Sequence, residues 1–207
     1  MRGGNGGHTN PDAQAKTWLL PEQVDAMRDA CLSAGVPTYL QDRNEALIAF
    51  LYDTGVRRGE AAAVDVDYLN LDAGTVRLPS SIQKGDVPEA TIELGKWGAD
   101  STRILRRYLR DRWKDTEALF PSRQSDRMTG RTIARTVKRI AEIAGVEPQV
   151  VGGGTGEPSD VTPHTLRHSV AYRIIQVEGG RLEDVQLRLR HASLTTTDRI
   201  YSHLRPR

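Results

Sequence analysis

Cysteine is nearly absent from this 207-residue chain, in which Cys31 stands alone. A single thiol excludes an internal disulfide and a zinc site built from cysteines. It shares a helical stripe with Val24 and Met27 and is read as a buried, inert thiol. Long apolar runs are missing too. No stretch approaches the roughly 18 to 20 consecutive apolar residues that span a bilayer, and the start, MRGGNGGHTN, has no apolar signal core. These absences point to a soluble, intracellular protein with no membrane partner. A hydrophobic fraction of 38% still allows one substantial core, so one domain is expected.

Net charge is small, at +2, but it is unevenly spread. Residues 1–100 carry nine Lys/Arg against fifteen Asp/Glu, and residues 101–207 carry twenty against twelve. A basic half in a nearly neutral chain suits a polyanion-binding face, although solvated Arg-rich helices give the same asymmetry.

Regular structure is expected only from about residue 17, because residues 1–16 are Gly-rich, polar and aperiodic, like a disordered tail or linker. Helical spacing predicts elements over 21–35, 42–54, 57–64, 101–113, 130–144, 163–177 and 182–190, with a short piece around Tyr201. The stretch 68–94 alternates instead, with turns at Asp72-Ala73-Gly74 and Lys84-Gly85-Asp86, which predicts a small antiparallel sheet. No internal repeat is evident. The fold class is mainly α with a small antiparallel β-sheet, an α+β arrangement.

Four segments carry residues suited to chemistry. In Pro163-His164-Thr165-Leu166-Arg167-His168, Thr162 is placed to cap and Pro163 to open a helix. His164 and Arg167 then share one face at a helix N-terminus, where free N–H groups, the helix dipole and a guanidinium favour an anion. The alternative is that His164 merely caps and Arg167 merely pairs with a carboxylate. His164 and His168 have the spacing of a helical metal site. The HExxH glutamate is absent, Arg167 would set a positive charge beside the ion, and no third ligand is evident, so neither a metal nor another cofactor is expected.

In Thr54-Gly55-Val56-Arg57-Arg58-Gly59-Glu60, one helix ends at Gly55 and another starts at once. Arg57 comes to a helix start with Glu60 a turn further along the same face. Arg58 points elsewhere, as a surface charge. Lys84 sits at the tip of the predicted sheet, where a lone turn lysine is ordinarily solvated. Last, His191 closes a helix ahead of a Thr-rich stretch that leads into Tyr201.

Taken in order, these segments resemble the tyrosine recombinase, or phage integrase, family over about Leu19 to Leu204. That family shows an arginine in a TGxRxxE context, a lysine on a β-hairpin, HxxRH, a histidine ahead of a TT pair, and then a nucleophilic tyrosine. Here these are Arg57, Lys84, His164 with Arg167, His191 and Tyr201. The resemblance implies a catalytic domain over 17–207 that cuts and rejoins double-stranded DNA at a specific site, through a covalent 3′-phosphotyrosine. Tyr201 would attack, Arg57 and Arg167 clamp the phosphate, His164 act as base, Lys84 as acid, and His191 bond a non-bridging oxygen. Glu60 and His168 would support them by orienting Arg57 and packing the HxxR helix. The outward Arg106 and Arg110, and Arg131, Arg135, Lys138 and Arg139, suit phosphate contacts along the DNA, though a solvated face explains each one as well.

Three departures accompany the resemblance. His191 and Tyr201 are ten residues apart, one more than the family's usual interval, which would either rotate the nucleophile or be absorbed in the turn. The helical DNA-gripping domain that usually comes first is not seen ahead of the first catalytic helix. The stretch after Tyr201 is short, where many relatives extend a segment into a neighbour. By analogy the chain would be monomeric or weakly associated alone and tetrameric on DNA, in the cytoplasm of a prokaryotic or viral host. The rivals are a type IB topoisomerase, a catalytically idle DNA-binding protein of the same fold, and a helical module with no nucleic-acid role.

Overall fold

The computed structural model describes residues 17–85, 87–99 and 101–204. The expected tail over 1–16 lies outside them. Helix α1 (Pro21–Cys31) starts at Pro21 as predicted, since a proline at the first helical position gives up an N–H that would have had no partner. It stops at Cys31, not at Gly35, because the Leu32 N–H turns back to the carbonyls of Asp29 and Ala30. Helix α2 (Thr38–Thr54) begins four residues earlier than expected, directly after Pro37. It ends at Gly55, whose φ of 63° supplies the left-handed cap. Helix α3 (Arg58–Ala63) follows after three residues.

The predicted sheet has three antiparallel strands, β2 (Leu69–Asn70), β3 (Thr75–Leu78) and β4 (Ala90–Glu93), in that order. Val76 opposite Ile92 turns the apolar side of the sheet inward. The remaining helices are α4 (Thr102–Asp111), α5 (Gly130–Ala144), α6 (Pro163–Tyr172), α7 (Leu182–Leu189) and α8 (Leu194–Tyr201). The helix expected over 163–177 changes at Arg173 into a π-turn, Arg173–Val177. That wider turn sets the Arg173 guanidinium over the Tyr52 ring at 4.2 Å. A second sheet pairs β1 (Thr17–Trp18) with β5 (Gln149–Val150). Sequence pattern does not reveal two-residue strands, because so short a run has no period.

The main core joins α1, α2, α4 and α5 through Met27, Phe50, Leu105, Ile133 and their neighbours. Cys31 lies in it, fully buried, and burial, reinforced by the Glu45 carboxylate, pushes its thiol up to about 12. A smaller core gathers Val170, Ile174, Val185, Leu189, Ile200 and Tyr201 where α6, α7 and α8 meet. Asp53 ties the two together. One oxygen of this buried carboxylate accepts from the Gly95 N–H at 2.9 Å and from Ser101 Oγ at 2.6 Å. The other takes Arg188 Nη2 at 2.6 Å, and Arg188 also reaches the Glu93 carbonyl at 2.7 Å. The end of α2, the end of the sheet, the start of α4 and α7 are thus held at one buried ion pair.

Candidate active site

The turn between α2 and α3 sets Arg57 at the helix start in extended backbone, with φ −70° and ψ 154°. Its N–H donates to Glu60 Oε2 at 2.7 Å and its Nη1 to Glu60 Oε1 at 3.0 Å. Glu60 is buried, whereas the Arg57 side chain keeps 27% of its surface open. Burial pushes the Glu60 carboxyl up, but Arg190, the Arg57 N–H, Arg167 and Arg57 outweigh it and leave it below its ordinary value.

Arg167 comes from the first turns of α6. As expected, Thr162 accepts the N–H of Thr165 and Pro163 is the first helical residue. The Arg167 side chain is 2% exposed and donates to the backbone carbonyls of Gly55 and Leu189. Among the described residues no carboxylate lies within ion-pairing distance of it. Burial first, and then the charge of Arg57, bring its guanidinium down to about 9, while Tyr201 acts the other way. It therefore keeps its charge at neutral pH. A buried cation matched to neutral carbonyls alone has the electrostatics of an anion site.

Tyr201 closes α8 and is 1% exposed. In the interval from His191, Ser193 caps α8 by accepting the Thr196 N–H, and the helix carries the phenol inward. Its oxygen lies 2.6 Å from His168 Nδ1. The His191 ring stacks on it at 6.1 Å with 3° between planes, and Thr197 Oγ1 sits 2.9 Å from His191 Nδ1. His164 meets His168 edge-on at 4.5 Å. His168, expected to pack the helix, thus also holds the phenol, with His164, the expected base, edge-on beside it. Periodicity alone could not place His168 against Tyr201, because that depends on where α8 lands.

Burial, and then the charges of His164, Arg167, His191 and His203, hold His168 well below its usual range. Neutral His168 can accept the phenolic proton when Nδ1 is its bare nitrogen. The same shift has a stability consequence. An unfolded histidine binds its proton near pH 6.5 and the folded one resists it, so stability is fully present above about pH 6.5 and is lost as pH falls below it. The Tm should drop from pH 7.5 to pH 5, with a slope approaching about 1.4 kcal/mol per pH unit. His168→Asn should flatten that slope in thermal melts, and an equally steep melt series from the variant would contradict this assignment.

Lys84 stands apart. It is exposed on the connection between β3 and β4 and, among the described residues, makes no hydrogen bond or ion pair. The basic helices also divide. Arg106 is tied to the Leu71 carbonyl and Asp72, and Arg110 to Asp111. Arg131, Arg135, Lys138 and Arg139 line the exposed face of α5, and among the described residues no carboxylate pairs with them. Arg58 packs against Gly130 at the start of α5, which joins this face to the Arg57 turn. The residue that the motifs missed is Arg190, whose Nη2 reaches Glu60 Oε2 at 2.6 Å. An arginine just past a helix end, where glycine or asparagine is usual, was the available signal.

The phage integrase family model matches residues 17–207, and the chain belongs to that family. It is 34% identical over 169 residues to tyrosine recombinase XerD of Haemophilus ducreyi, an overlap of 78% of this chain and 50% of the relative. It is 30% identical over 212 residues to XerD of Bifidobacterium longum, covering 97% and 61%. The chain therefore spans only about half to three fifths of these relatives. Among solved structures, XerA recombinase matches with a TM-score of 0.69 at 24% identity, over 92% of this chain and 64% of that one. XerH recombinase bound to its difH substrate matches at 0.66 and 24%, over 89% and 50%. The fold is that of tyrosine recombinase catalytic domains. No helix among the described residues is long and apolar enough to cross a membrane.

Proposed function

We propose that this chain is the catalytic domain of a site-specific DNA recombinase that breaks and rejoins strands through Tyr201. The observation that carries the reading is the buried Tyr201 hydroxyl, held by an imidazole beside a buried arginine that has no carboxylate partner among the described residues. Tyr201 Oη attacks the scissile phosphorus, the bond to the 5′ oxygen breaks, and a 3′-phosphotyrosine forms. That link conserves the energy of the broken bond, so rejoining needs no nucleotide cofactor.

The phenolic proton passes to the His164–His168 pair, in which His168 already holds the hydroxyl. Arg57 and Arg167 hold the non-bridging oxygens as negative charge builds on them, and His191, oriented by Thr197, bonds one as well. Lys84 protonates the departing 5′ oxygen when its connection closes on the DNA. Because Tyr201 is covered, α8 must shift when DNA enters. The α5 face of Arg131, Arg135, Lys138 and Arg139 takes the flanking phosphates, with Arg106 and Arg110 on the outer path, so affinity should fall steeply with salt. The domain assembles as a tetramer on DNA and acts in the cytoplasm. The likeness to XerD-type recombinases supports this reading over a relaxing enzyme or an inactive binder.

The test is a nicked suicide duplex carrying a candidate site. Wild type should form a protein–DNA adduct that survives SDS, and Tyr201→Phe should form none while binding the duplex with similar affinity. An adduct that persists in Tyr201→Phe, or none at any site, would refute the reading. An adduct formed equally on any sequence would indicate a topoisomerase.

A further inference from the structure

Among the described residues Arg190 is the only non-glycine with positive φ, at 54°. It ends α7 in the left-handed conformation that glycine occupies at least cost. A surface arginine there would extend into water, but this side chain is 7% exposed and runs inward to α3. Nη2 bonds Glu60 Oε2 at 2.6 Å, while Nε is buried and has no partner. The protein thus bears both backbone strain and the desolvation of a second guanidinium against one carboxylate. Neither is needed to pair Glu60, which Arg57 already contacts at 3.0 Å. Strain and buried charge kept where stability does not require them point to function.

We propose that Arg190 is a positioning residue that keeps Arg57 turned toward the phosphate. Glu60 has two oxygens. Oε2 accepts from both the Arg57 N–H and Arg190 Nη2, which together fill it, and the Arg57 side chain keeps a single bond, to Oε1. Without Arg190, Glu60 can take Arg57 in a two-pronged pair, which draws the guanidinium into the protein and spends the donors that a phosphate would use. Three positive groups, Arg190, Arg57 and Arg167, face Glu60 from α7, α3 and α6, and removing one shifts the balance among them.

The proposal rests on the strand-transfer reading for its activity readout, and a second readout is independent of it. Arg190→Gly suits the backbone, so the fold should persist. With saturating DNA the adduct-forming rate should fall about tenfold to a hundredfold, while the Kd for DNA stays within about threefold of wild type. Arg190→Lys should recover much of the rate. In a Glu60→Gln background, where no carboxylate competes for Arg57, Arg190→Gly should cost less than about twofold. Rates for Arg190→Gly within about twofold of wild type, or a loss undiminished in Glu60→Gln, would overturn the proposal. NMR of the Arg57 guanidinium should show a shifted, more strongly hydrogen-bonded Nη group in Arg190→Gly, and an unchanged spectrum would overturn it too. If wild type forms no adduct, strand transfer fails on its own and the NMR comparison still decides the role of Arg190.

Discussion

Arg167→Lys should give a folded protein that forms covalent adduct about a thousandfold more slowly than wild type, or slower still. Arg167 does two things with one planar group. Two of its nitrogens donate to the carbonyls of Gly55 and Leu189, so the group bridges the end of α2 and the end of α7. Its charge has no carboxylate to neutralise it among the described residues and is available to a phosphate. Lysine keeps the charge, but a compact ammonium cannot hold both carbonyls and face an anion in a fixed plane. The expected stability loss is modest, about 1 to 3 kcal/mol for a buried carbonyl left without its donor. A large loss of rate with a modest loss of stability is the signature of a clamp. Single-turnover cleavage at saturating DNA, with a thermal melt of the same preparation, measures both. A rate within about tenfold of wild type would remove Arg167 from the chemistry.

The largest effect on stability should come from Arg188→Ala. Arg188 and Asp53 have side-chain exposures of 4% and 0%. Burial brings the Arg188 guanidinium down to about 10, with Asp53 opposing the shift. Removing the arginine strands a buried carboxylate whose remaining donors are the Gly95 N–H and Ser101 Oγ. Breaking one side of such a pair costs about 3 to 5 kcal/mol, which for a domain of this size lowers Tm by about 6 to 20 °C. Because α7 leads directly to His191 and α8, the melting loss should be accompanied by lost adduct even below the new Tm. Replacing both partners with apolar residues of similar size, Asp53→Leu with Arg188→Met, should cost less than the single change. Denaturant or thermal melts of the three variants test this order.

What could be read from sequence follows from how local each feature is. The opening of α6 was legible because Thr162 and Pro163 act within one turn, and α5 was legible because Ile133, Val137 and Ile140 recur at helical spacing. The order of Arg57, Lys84, His164, Arg167, His191 and Tyr201 was enough to suggest the family. Features that depend on distant contacts were not legible. The pairing of Thr17–Trp18 with Gln149–Val150 joins strands too short to show a pattern. The contact of His168 with Tyr201 depends on where α8 settles, and one extra residue in its approach made that impossible to judge beforehand. Arg190 shows in sequence only as an arginine where a helix end favours glycine, and its role becomes visible when α7 brings it against Glu60. For Lys84 the exposed hairpin connection leaves the expected acid as a proposal that awaits bound DNA.

Tyr201 oxygen should become covalently joined to a 3′ phosphate. Digesting the suicide-substrate adduct with nuclease and protease and sequencing the modified peptide by mass spectrometry tests this directly. The expected product is a nucleotide remnant on Tyr201, attached through its 3′ phosphate, with a free 5′ hydroxyl on the released strand. A remnant on any other residue, or a 5′-phosphate linkage, would contradict it.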